Sequence, residues 1–94
     1  MFYKVEFFSQ VVDEDLPNLP KNIQQRILQA IENRLAVDPI RYGLRLSQSL
    51  KGLWRMRVGD YRIAYEISGK TVRIWAIVHR KNAYEKIAKL WGKH

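Results

Sequence analysis

The chain predicts an α+β domain: a small antiparallel β-sheet with two N-terminal helices packed on one face, in the order β-α-α-β-β-β-α. Three observations carry this. The run LKGLWRMRVGDYRIAY from Leu50 to Tyr65 reads as two alternating strands joined by Gly59-Asp60. Apolar residues recur every fourth position at Ile23, Ile27, Ile31 and Leu35, as on the inward face of a helix. Finally, 94 residues of which 47% are hydrophobic suffice for one compact core, so residues 1–94 are read as a single domain.

Residues 2–8 alternate, with Tyr3, Val5 and Phe7 against Lys4 and Glu6, and predict the first strand. Ser9 is placed to cap a short helix that Pro17 ends. Pro20 suits the first turn of the second helix, where its missing N–H would have no partner anyway. Gln24, Arg26, Glu32 and Asn33 fall on the wet side of that helix, and Pro39 closes it. Residues 39–50 show no clear period, with Gly43, Ser47 and Ser49 around Leu44, Leu46 and Leu50. Two hairpins follow, the second turning at Ser68-Gly69-Lys70. With a two-residue loop there, Ile67, Val72, Ile74, Ala76 and Val78 are expected on the apolar face. Arg73, Trp75, Ile77 and His79 are then expected on the opposite one. Residues 82–90 form a closing helix with Ile87 and Leu90 inward.

The first hairpin is the most informative segment. A two-residue Gly-x loop is a strong hairpin signal because Gly accepts the positive φ that such turns need. It places Val58 opposite Tyr61, Arg57 opposite Arg62, Met56 opposite Ile63 and Trp54 opposite Tyr65. The apolar partners match and face the core, Trp54 among them. The other face collects Arg55, Arg57 and Arg62. Like charges directly across a sheet repel. Either these guanidinium groups splay into solvent or an anionic partner covers them, and a phosphate-rich partner is the simplest. Arg62, on that wet face, is expected to be exposed.

Seventeen Lys and Arg against nine Asp and Glu give a net charge of +8, a balance suited to nucleic acid, an anionic surface or an acidic protein. No run approaches the roughly 18 apolar residues of a membrane span. The start, MFYKVEFFSQ, is not expected to be a signal peptide, and a cytoplasmic location fits best. With no cysteine, disulfides and thiolate metal sites are excluded.

LKGLWRMRVGDYRIAYEI, followed by a strand ending VHRKNAY, resembles the RelE/ParE superfamily of bacterial and archaeal toxin–antitoxin modules. The order of strand, two helices, three strands and short final helix is also that superfamily's. The resemblance implies a toxin with one of two targets. The RelE-like branch cleaves messenger RNA in the ribosomal A site, whereas the ParE-like branch poisons DNA gyrase. A non-catalytic RNA-binding member of the fold is a further reading. For the RNA-cleaving branch the resemblance implies a reaction without metal or small-molecule cofactor, in which the ribose 2′-hydroxyl attacks the adjacent phosphate. Such a site must grip the phosphate, stabilise charge on its oxygens and move protons.

Arg62 matches the family's arginine after Gly-x-Tyr and is assigned to the scissile phosphate, with Arg57 beside it. Arg55 and Arg57 match two positions that are lysines in the best-known members. Arginine does not accept a proton near neutrality, so a base role held there must pass elsewhere. His79, since histidine is the residue type suited to proton transfer near neutrality, and Tyr84, which matches a tyrosine near the family's active site, are the candidates. Arg55, Arg57, Arg73, Arg80 and Lys81 are assigned to RNA binding. Trp75 is read as core beneath the last helix in preference to a platform for a base. The implied partners are messenger RNA on the ribosome and a cognate antitoxin that covers the arginine face and buries Trp91 or Ile87. No membrane partner is implied.

Overall fold

The computed structural model describes residues 2–46 and 52–92. Its centre is a five-stranded sheet in the order β1-β5-β4-β3-β2. The strands are β1 (Lys4–Phe7), β2 (Leu44–Arg45), β3 (Trp54–Val58), β4 (Tyr61–Ser68) and β5 (Thr71–His79). β2 to β5 pair antiparallel, as expected of the two hairpins. β1 lies parallel to β5, reached by a long connection through the helices. The two-residue strand β2 emerges from the stretch whose sequence shows no period; Ser47, Ser49 and Leu50 of that stretch lie outside the described residues. Among the described residues no helix is long and apolar enough to cross a membrane.

After β1 the chain turns through a short helical segment that ends in a π-type turn, Val11–Asp15, before Pro17. Ser9 lies inside its first turn instead of capping it. Pro20 then takes the N-cap position of α1 (Lys21–Ala30), with extended ψ of 148°. A second π-type turn, Ile31–Leu35, prolongs α1, closed by the Ala36 N–H donating to the Ile31 carbonyl at 2.9 Å. That turn has a packing reason. An i+4 repeat drifts about 40° per step on a helix of 3.6 residues per turn, and the wider π turn takes up part of the drift. Ile27, Ile31 and Leu35 are all buried, with Ile23 packed beside them. The helix ends at Leu35 with Ala36 as its cap, before Pro39 is reached. Pro39 is instead fully buried, and its carbonyl accepts the Tyr65 hydroxyl at 2.6 Å.

The first hairpin pairs as its alternation dictates, down to Arg57 opposite Arg62, and Gly59 takes φ +58° in the turn. Met56, Val58, Ile63 and Tyr65 join α1 and its π-type extension in the main core. Trp54 packs against that core, half-buried. The second hairpin closes on Gly69-Lys70, with Ser68 opposite Thr71. Its register then slips: Tyr65 faces Ile74 but Ala64 faces Ala76, leaving Trp75 as an extra residue in a β-bulge.

One added residue reverses the faces beyond it. Val72 and Ile74 lie in the main core as expected, but so does Ile77, which strict alternation puts opposite. Ala76 and Val78, expected in that core, instead form a second cluster with Leu53, Ala64 and Trp75. α2 (Ala83–Gly92) covers this cluster through Ala83 and Ile87, with Leu90 and Trp91 at its margin. Trp75 is buried there between Phe8 and Trp91. The sheet therefore carries helices on both faces.

Candidate functional site

The β3–β4 turn holds the arginines where the pleat puts them. Arg57 and Arg62 are direct cross-strand partners, and Arg55 precedes them on the same side of β3. Arg62 departs from expectation. It is the one buried charged residue among those described, at 8% exposure. The reason lies in its local bonding. Nη1 donates to the Gly59 carbonyl at 3.1 Å and to the Tyr61 carbonyl at 3.0 Å, folding the guanidinium back over its own turn. Among the described residues no carboxylate lies within ion-pairing distance of it. Burial, then the charges of Arg57, Arg55 and Arg80, hold its pKa below the ordinary arginine value, and Asp60 pulls the other way. An arginine so placed remains charged, and an anion there would relieve both burial and repulsion.

Arg80 reaches the same corner. It follows β5, and its N–H donates to the Asp60 carbonyl at 2.8 Å while Nε lies 3.6 Å from the Asp60 carboxylate. Asp60 thus ties the turn to the segment leading into α2, a role that its place in the hairpin loop did not reveal. Lys81 is exposed one residue further, in the 3-10 turn Arg80–Asn82. Arg55 is half-buried, with Nε enclosed and no hydrogen-bond partner among the described residues. Arg55, Arg57, Arg62 and Arg80 form one cationic corner.

Two assigned residues lie elsewhere. Arg73 is on the arginine side of the sheet but five residues along β5 from the partner of Arg62, roughly 16 Å away. Parallel pairing of β1 brings Glu6 beside it, and Arg73 binds Glu6 at 3.2 Å and Glu66 at 3.0 Å. These carboxylates, Glu66 first, raise its pKa. Its charge is already neutralised. His79 is on the opposite side altogether. The bulge pairs it with Tyr61, the rings meeting edge-on with centroids 5.4 Å apart. Its Nδ1 accepts from the Lys81 N–H at 3.3 Å, capping the 3-10 turn. Tyr84 stands in the first turn of α2 and is 60% exposed, so its ring is not packed beneath that helix. The adjacent Ala83 is buried in the cluster on the arginine side of the sheet.

Three comparisons with known proteins bear on the family of this chain. Residues 7–84 match the family described as ParE toxin of type II toxin-antitoxin system, parDE. Toxin RelE3 of Methanocaldococcus jannaschii is 30% identical over 81 residues, 83% of this chain and 92% of that one. A chain of the toxin–antitoxin complex RelBE2 from Mycobacterium tuberculosis superposes with TM-score 0.80 at 32% identity, covering 85% of this chain and all of that one. The free E. coli toxin RelE, as a double mutant, shares the fold over 99% of this chain and 97% of that one, with TM-score 0.77 at 11% identity. The chain belongs to the RelE/ParE family of toxins of type II toxin–antitoxin systems.

Proposed function

We propose that this toxin is a ribosome-dependent messenger RNA endonuclease whose phosphate grip is Arg62. The observation that most supports this is a buried guanidinium without a carboxylate partner among the described residues, ringed by Arg55, Arg57 and Arg80. Protein interiors seldom keep a charge on such terms unless an anion completes it. In the proposed reaction the ribose 2′-oxygen forms a bond to the adjacent phosphorus as the bond to the 5′-oxygen breaks. The products are a 2′,3′-cyclic phosphate and a 5′-hydroxyl. Arg62 holds the phosphate, and Arg57 and Arg55 stabilise charge on its oxygens. Tyr84, exposed in the first turn of α2, is the group left to pass the proton. Cytoplasmic action follows from a ribosomal target.

The description of the matching family as ParE toxins supports a second reading, with DNA gyrase as the target. That reading needs no acid–base group. A cognate antitoxin is the proposed protein partner, since chains similar to this one come from RelBE complexes. Ile87 is already buried against the sheet, so the antitoxin would find Trp91, at the half-buried margin, as its apolar anchor.

Primer extension on translating ribosomes, run beside a gyrase supercoiling assay, separates the targets. Cleavage by the wild type that disappears in Arg62→Gln is the expected result. Gyrase inhibition by a wild type that leaves messenger RNA uncut would overturn the nuclease reading.

A further inference from the structure

The turn at Gly59 has an arginine on each side of it. Arg62 bonds to its carbonyl from one side. From the other, the Arg26 guanidinium of α1 comes within 3.6 Å of where a side chain on Gly59 would begin. Arg26 opens a groove of about 250 Å³ between α1 and the outer edge of β3. Its walls are Arg26, Gln29, Asn33 and Arg34 from the helix side and Arg57 and Val58 from the strand. The spacing i, i+3, i+7, i+8 puts the four polar helix residues along one flank. β2 pairs only with Trp54 and Arg55, so the edge of β3 beyond them stays open beside this flank. No carboxylate lines the groove, and Arg26, Arg34 and Arg57 form no ion pair among the described residues.

We propose that this groove binds the backbone phosphates of single-stranded RNA flanking the nucleotide held at Arg62, with Arg26 and Arg34 as the phosphate contacts. The inference rests on the RNA-cleaving reading and extends its site along the strand. Arg57 is the shared wall: it faces Arg62 across the hairpin and lines the groove as well. The donors are of the kind that grip phosphate and sugar without reading sequence, namely arginines with neutral amides between them. An acidic protein segment fits less well. Stable docking of such a segment needs apolar anchors, and the groove offers only Ala30 and Val58.

The test uses fluorescein-labelled 2′-O-methyl oligouridylates of three and nine nucleotides, which cannot be cleaved, in anisotropy titrations over a range of salt. The Arg26→Gln, Arg34→Gln double variant alters two exposed helix positions, and its fold is checked by melting. The nine-mer should bind the double variant more weakly, and its slope of log K against log salt should shrink by about 1.4, the value for two phosphates on a single strand. The three-mer should bind the double variant as it binds wild type, while Arg62→Gln weakens both. An unchanged nine-mer slope with Arg62→Gln still weakening both overturns the groove and leaves the site standing. Equal binding of both oligonucleotides by Arg62→Gln removes the reading beneath it, and the groove with it. Loss of a poly-glutamate probe without loss of the nine-mer would assign the groove to an acidic protein and overturn the proposal.

Discussion

Arg57 and Arg62 stand directly opposite each other on β3 and β4, and the buried member, Arg62, is bound only by carbonyls of its own turn among the described residues. The two positions should respond in opposite ways to substitution. Arg57→Ala removes a like charge from across the ladder and should raise stability by a few tenths of a kcal/mol. Arg62→Ala deletes charge-assisted bonds to two carbonyls and should cost about 1.5–3 kcal/mol. Both should impair cleavage. Thermal melts that move in the same direction for the two variants would count against this account of the corner.

His79 and Tyr84 make a contrast in catalysis. His79 faces Tyr61 on the far side of the sheet, so His79→Gln should cleave ribosome-bound messenger RNA at the wild-type rate. The pH profile should show no limb that this variant removes. Tyr84→Phe should lose roughly 10²-fold or more, the usual scale of a general acid–base contribution. Single-turnover cleavage measured across pH for both variants is the check, and a hundredfold loss in His79→Gln alone would reverse the assignment.

Asp15 links stability to pH. Its carboxylate accepts the Ile77 N–H at 3.0 Å, beyond Ile74, where the pairing with β1 stops. Burial, outweighing that bond, raises its pKa above 3.8. A raised value means the folded state holds the proton more tightly than the unfolded chain. The Asp15 contribution is therefore greatest at low pH and declines as pH rises through the raised pKa. Asp15→Asn keeps an acceptor for Ile77 and should flatten that decline. Asp15→Ala strands the N–H and should cost about 1–3 kcal/mol. Denaturant melts from pH 3 to 7 distinguish the three proteins.

Tyr65 pins the chain beyond α1 to the sheet. Its fully buried hydroxyl donates to the Pro39 carbonyl, and burial raises its pKa. Gly43 passes so close that any Cβ there would collide with the Tyr65 hydroxyl. Tyr65→Phe should cost about 1–3 kcal/mol through the orphaned carbonyl. Gly43→Ala should cost a similar 1–3 kcal/mol by overpacking. Tyr65→Phe removes the hydroxyl but keeps the ring carbon Cζ, 2.8 Å from such a Cβ, so it should absorb part of the Gly43→Ala penalty, and a double-mutant cycle measures this coupling.

Antitoxin binding should show a divided dependence on salt. Association driven toward the cationic corner should slow as ionic strength rises, while dissociation should follow the apolar contact at Trp91. Stopped-flow mixing with the co-expressed partner, using wild type and Trp91→Ala, reads both rates. A salt-independent association rate would place the interface away from the arginines.

The first hairpin was legible from the sequence because everything that determines it is local. Two strands of period two and a Gly-x loop leave one register that buries Met56, Val58, Ile63 and Tyr65 together, and that register sets Arg57 against Arg62. The same held for the inward stripe of α1 and its π-type extension, written at Ile23, Ile27, Ile31 and Leu35. Only the tertiary structure decided which side His79 takes. Strict alternation assumes an unbroken ladder, and the extra residue at Trp75 reverses every side chain after it. That slip lets Trp75 and Ala76 share the cluster beneath α2, a requirement set by a helix that follows in the chain. Arg73 looked free for the same kind of reason: its partner Glu6 is 67 positions away and arrives only when β1 pairs in parallel with β5. The burial of Arg62 was equally hidden, because whether a guanidinium reaches into solvent or folds over its own turn depends on carbonyls that only the closed hairpin presents.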